Sequence, residues 1–201
     1  GEKFAMSIIN EWGDMPFEDI MKSTDFLLQK LPNIDRERMA AAGASYGGYM
    51  AAWVLGHTDR FKCIIDHAGV NSSYAQYATD VPHGFTQVMG GTPWANLEGM
   101  QRQNPMFYAK NFKTPTLVLH GELDYRVPYG NGLELYGFSL YSQRDGEGMP
   151  CGEIVGSVSD FGGIDEMGML HDRRVEISQH GVWRDLGDLD RVQRHFHPRV
   201  R

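Results

Sequence analysis

An α/β fold, a mostly parallel sheet flanked by helices, is predicted by two observations in the first two thirds of the chain. Short apolar runs of strand length alternate with longer segments of helical period, and a small-residue turn, Gly43-Ala44-Ser45-Tyr46-Gly47, joins one run directly to one helical segment. Taken in order, Pro16 in a first helical turn and Phe17, Ile20, Met21, Phe26, Leu27 and Leu31 at mixed three and four spacings describe an amphipathic helix that ends before Pro32. Met39 to Ala44 is a compact apolar run, expected to form a strand buried on both faces. The residues from Ser45 to Gly56 have helical length, with Gly56 where such a helix would stop. Phe61 to Ala68 and Thr114 to Gly121 are the second and third strands, and a further helix is expected near Gly132. Between those two strands, residues 70 to 112 are rich in Tyr, Asn, Gly, Pro and Met without a sustained period. A connection of that length is expected to form short helices and turns around a site.

The chain has 201 residues, 19 Lys and Arg against 26 Asp and Glu, and a formal charge of -7, so nothing in its electrostatics seeks a nucleic-acid backbone. No window reaches the roughly 18 apolar residues of a membrane helix, and no membrane partner is expected. Cys63 and Cys151 form neither a disulfide scaffold nor a zinc-ligand pattern, and no Gly-rich phosphate loop is present; the reading requires no metal and no cofactor. The first residue is Gly1 rather than Met, as expected of a chain that begins within a longer protein. Asp14, Glu18 and Asp19 read as favourable charges at a helix start, not as metal ligands.

The turn carries the chemistry. Gly43 to Gly47 fits G-x-S-x-G between a strand and a helix, the setting in which a strained backbone exposes a serine hydroxyl as a nucleophile. The same turn aims the Tyr46 backbone N–H at a substrate carbonyl oxygen, one donor of an oxyanion hole, with the helix dipole adding to it. A serine needs a base, and the base needs an orienting carboxylate. Asp124, in the loop after the third strand, is the carboxylate best placed at the carboxyl end of the sheet. Its alternative reading is an Asx turn or a cap before the helix near Gly132, and neighbouring Glu122 is less well placed. Tyr46, Tyr49, Trp53, Trp94, Phe107 and Tyr108 line a substrate pocket or fill the core, and the sequence leaves both open.

Ser45-Tyr46-Gly47-Gly48-Tyr49, Trp12-Gly13, the run from Gly56 to Lys62 and the run from His120 to Pro128 together resemble the catalytic domain of the prolyl oligopeptidase family. The likeness is nearest to its acylaminoacyl-peptidase and dipeptidyl-peptidase 5 branch and runs through about residue 137. The resemblance implies an α/β-hydrolase fold, serine peptidase chemistry on short peptides, Ser45 as nucleophile, Asp124 as triad acid and Tyr46 as oxyanion donor. Family members carry a β-propeller and further strands upstream, which bring substrate gating and a second oxyanion donor. In the family the triad histidine follows a later strand, and the corresponding place here, Ser159 to Gly163, contains none.

The last third changes in character. Before residue 138 there are 6 Lys and 5 Arg; from 138 onward there are 8 Arg and no Lys. The expected organisation is a partial hydrolase domain over residues 1–158 and an atypical, poorly packed tail over 159–201, with a frameshifted or otherwise altered carboxyl end. His171 and His180 serve as base only if that tail folds atypically; His195 and His197 lie near the terminus, and chain order argues against His57, His67, His83 and His120. The leading function is a serine peptidase. The alternatives are an esterase using the same site and a non-catalytic fragment that keeps the serine turn without completing the triad.

Overall fold

The computed structural model describes residues 1–79 and 81–142. The expected tail, the domain boundary at residue 158 and Cys151 lie outside the described residues. Helices α1 (Glu2–Met6) and α2 (Asp14–Lys30) precede strand β1 (Ala40–Ala44), which leads into α3 (Tyr46–His57) and β2 (Cys63–His67). Short helices α4 (Ser73–Tyr77), α5 (Pro82–Val88) and α6 (Leu97–Arg102) and a 3-10 turn (Pro105–Asn111) fill the long connection to β3 (Thr116–Leu119), and α7 (Gly130–Ser142) follows. The three strands form one parallel sheet in the order β1-β2-β3, with Ala44 opposite His67 and His67 opposite Leu119. Among the described residues no helix is long and apolar enough to cross a membrane, and no group of His, Cys, Asp and Glu is arranged to hold a metal ion.

The core is built around α3. Its residues from Gly48 to Gly56 are all buried, because the helix has no polar side chain over that stretch apart from Tyr49 and is wrapped on every side. One side meets Ile64, Val118, Phe112 and Leu135; the other meets Val70, Phe85, Met89, Met100 and Val127. Asn104 and Asn96 cap the short helical pieces of the connection by accepting from Met106 N–H and Gly99 N–H.

Three expectations need correction. β1 is not buried on both faces: its residues alternate between exposed and half-buried, since among the described residues α3 covers one face only. In α2 the packed arc is Phe17, Ile20 and Met21, whereas Phe26 is 57% and Leu27 47% exposed. Phe26 is nine residues from Phe17, half a turn out of phase at about 3.6 residues per turn, and Lys30 lies over its ring at 5.6 Å. Leu31 falls just past the helix, also exposed. Finally, Gly56 does not stop α3, which runs on through His57; a side chain there would meet Tyr108 Cβ at 2.9 Å, so Gly56 is a packing contact rather than a cap.

Candidate active site

The turn after β1 has the expected form. Ser45 lies between the last residue of β1 and the first of α3, exposed, with φ 58 and ψ -118, a region that side chains other than glycine rarely enter. Its N–H donates to His67 C=O at 2.9 Å, and its C=O accepts from Tyr49 N–H at 3.0 Å and Val70 N–H at 3.4 Å. The reason small residues surround it is close backbone approach. A Cβ on Gly43 would sit 2.1 Å from Gly47 O, and a Cβ on Gly48 would sit 2.5 Å from Gly69 Cα. Gly47 itself has open space around it. Strain of this kind costs on the order of 1–3 kcal/mol, and glycine returns part of that through its flexible unfolded chain. Ser45→Gly is therefore expected to raise stability by about 1 kcal/mol, while Ser45→Ala, which keeps the strain, leaves it unchanged. Urea denaturation of the two variants beside the parent checks this, and equal midpoints for all three would remove the strain argument.

Tyr46 is the first residue of α3, so its N–H has no acceptor within the helix. Its hydroxyl donates to Trp12 C=O at 2.8 Å, and burial pushes that phenol up to about 12. Trp12 is held over it by a polar network: Gln103 Oε1 accepts from Trp12 N–H at 2.6 Å, and the Arg102 guanidinium donates to Asn10 C=O at 2.6 Å and pairs with Glu11 and Asp14. Trp12, Tyr46, Tyr49 and Phe85 form an aromatic cluster with ring centroids 4.7 to 5.7 Å apart. Of the aromatics left open by the sequence, Tyr49 and Trp53 are buried core residues, Tyr46 and Tyr108 are half-buried, and Trp94 and Phe107 are exposed.

Asp124 stands in the loop after β3, the strand two positions from β1 in the sheet. Its Oδ1 accepts from Arg126 N–H at 3.0 Å and Val127 N–H at 2.9 Å, so the Asx turn is real. Polar groups that sequence reasoning missed hold this loop. Buried His120 bonds through Nε2 to Val127 C=O at 2.8 Å, and burial lowers its pKa, so the neutral ring with hydrogen on Nε2 is the donor. Gln76 Nε2 donates to Arg126 C=O, Asn131 Nδ2 donates to Pro128 C=O, and Asn131 Oδ1 accepts from Ser72 N–H. These bonds tie the loop carrying Asp124 to the segment after β2. Only His120, at the end of an apolar run, gives a sequence signal; Gln76 and Asn131 lie in polar stretches that give none.

The histidines of the described residues do other work. His57 stacks on Trp53 at 4.3 Å and contacts Tyr108 and Phe17; its Nδ1 lies 2.7 Å from Trp53 C=O. His67 ends β2 and His83 lies in α5, both exposed. His171, His180, His195 and His197 lie outside the described residues.

The sequence model of the prolyl oligopeptidase family matches residues 1–139. Dipeptidyl-peptidase 5 of Schizosaccharomyces pombe is 35% identical over 144 residues, 70% of this chain and 21% of that protein. Acylaminoacyl peptidase of Pyrococcus horikoshii, uncomplexed, superposes with a TM-score of 0.68 at 35% identity, over 71% of this chain and 24% of its own. An acylaminoacyl peptidase in complex with Z-Gly-Gly-Phe-chloromethyl ketone gives a TM-score of 0.68 at 36% identity, over 71% and 23%. The chain thus spans about a fifth of the curated relatives it matches, and within that span it carries part of an α/β-hydrolase fold. With the family match covering residues 1–139, more than half of its residues, the chain belongs to the prolyl oligopeptidase family.

Proposed function

We propose that this chain is the nucleophile-bearing part of a serine peptidase acting on short peptides, as an acylaminoacyl- or dipeptidyl-peptidase does. The observation that carries the reading is Ser45, exposed at φ 58 on a turn where Gly43 and Gly48 leave no room for a side chain. In the reaction Ser45 Oγ attacks the scissile carbonyl, and a histidine from outside the described residues takes its proton and passes it to the leaving amine. Asp124 orients that histidine, Tyr46 N–H bonds the oxyanion, and water then releases the acyl group.

A second reading is favoured by one observation: all four histidines up to residue 142 precede or lie before Asp124 in the chain, so the described residues supply nucleophile and acid without a downstream base. On that reading the 201-residue chain is a non-catalytic fragment. Treatment with a fluorophosphonate probe separates the two. Slow modification confined to Ser45 and abolished by Ser45→Ala is the result expected if this chain lacks the base, as on the second reading, because loss of one triad member leaves roughly 10³ to 10⁴-fold catalysis over water. Fast labelling would identify a complete triad, and His171→Ala and His180→Ala, made singly, would then find its base. Label scattered over other serines, unchanged by Ser45→Ala, would sink the peptidase reading.

A further inference from the structure

β2 carries a carboxylate inside an apolar run, Ile64-Ile65-Asp66, and the hydrolytic steps do not use it. Asp66 is fully buried at the centre of the sheet, opposite Gly43 on β1 and Val118 on β3. Among the described residues no Lys or Arg pairs with it. Its Oδ1 accepts from Gly69 N–H and its Oδ2 from Asn71 Nδ2, both at 3.0 Å. Burial pushes its carboxyl up to about 6, the two donors opposing that shift, so near neutral pH an acceptor-only group is retained where its charge is disfavoured.

The two bonds clamp a tight loop. Ala68 is held at φ 47, and Gly69 is pressed so near the carboxylate that a Cβ there would lie 2.3 Å from Asp66 Oδ2. That loop is the other wall of the serine turn. His67 C=O receives Ser45 N–H, Val70 N–H reaches Ser45 C=O, and Gly69 Cα backs directly on Gly48 in the first turn of α3.

We propose that Asp66 is a positioning residue for Ser45: by fixing residues 67–70 it holds the serine backbone at positive φ and so sets the direction of the hydroxyl and of the Tyr46 N–H. The role in catalysis rests on the peptidase reading; the role in holding the turn stands apart from it. Asp66→Asn keeps an acceptor for Gly69 N–H, and its amide can donate to Asn71 Oδ1, which has no partner among the described residues, once the Asn71 amide turns over. Asp66→Ala keeps neither bond.

Residue-resolved amide hydrogen exchange on the full chain at neutral pH tests this. Asp66→Ala is expected to speed exchange at Ser45, Tyr49 and Val70 at least tenfold, with Lys62 and Ile64, which bond to Met39 and Pro115, unchanged. Asp66→Asn is expected to restore parent rates within threefold. Unchanged protection at Ser45, Tyr49 and Val70, or equal acceleration at Lys62 and Ile64, would overturn the proposal. If Asp66→Ala does not fold, Asn71→Ala removes one clamp and must loosen the same three amides first, or the proposal fails. Fluorophosphonate labelling run in parallel is expected to slow at least tenfold in Asp66→Ala and to recover in Asp66→Asn. A parent chain that never labels at Ser45 would end the peptidase reading while the exchange pattern still decides the positioning role.

Discussion

Gly43→Ala is expected to destabilise the chain by about 3 kcal/mol or more, whereas Gly47→Ala changes stability by about 1 kcal/mol at most. The two glycines of the G-x-S-x-G turn look equivalent in sequence, yet the added carbon meets different surroundings. On Gly43 it would lie 2.1 Å from Gly47 O and 2.3 Å from Gly47 C. Both atoms are backbone at the start of α3, and neither moves without lifting the helix from β1 or undoing the bond from Ser45 N–H to His67 C=O. No rotamer change relieves the clash. On Gly47 the carbon points into open space, and alanine in a helix regains the roughly 1 kcal/mol that glycine forgoes. Urea midpoints of the two single variants decide the matter, and similar losses for both would show that the turn tolerates rearrangement.

Trp53→Ala is expected to cost about 4 kcal/mol, a large part of the roughly 5–15 kcal/mol that holds a domain together. Trp53 is 0% exposed and stands at the centre of the ring contacts along α3. Its centroid lies 4.3 Å from His57, 5.1 Å from Tyr108 and 5.8 Å from Tyr49, and Gly13 is so near above it that a Cβ there would fall 2.4 Å from the indole. Truncation removes all of these contacts and leaves a cavity between α3 and the segment that carries Trp12. Trp53→Phe is expected to cost only about 1 kcal/mol. The indole Nε1 is buried with no hydrogen-bond partner among the described residues, so phenylalanine loses some packing area but also removes an unsatisfied donor. Thermal unfolding of both variants is the measurement. A Trp53→Ala shift no larger than that of Trp53→Phe would mean that the rings on α3 contribute little.

Much of the architecture was legible without coordinates because it depends on neighbours in sequence. Residues 39–56 read as strand, sharp turn and helix with Ser45 at the turn, since alanines and glycines at that spacing permit close packing and the following run is apolar throughout. The same holds for β2 and β3, and residues 70–112 were expected to form short helices and turns; that Pro82 and Pro105 open segments and Asn96 and Asn104 cap them came from the structure. Asp124 was recognisable as the carboxylate at the end of a buried strand, and its Asx turn followed from its own type and the loop that holds it.

Other features depend on how the segments pack and became visible only in three dimensions. That Gly43 is sterically obligatory and Gly47 is not depends on where the backbone of α3 comes to rest. That Asp66, Gln76, His120 and Asn131 are anchors rather than misplaced polar residues depends on carbonyl and amide groups up to 59 residues away. The exposed side of β1 and the outward turn of Phe26 depend on which surfaces α3 and α2 cover. Periodicity specifies which residues share a face and steric size specifies how tightly a turn closes, but burial and hydrogen-bond partners belong to pairs of segments, and folding brings those pairs together.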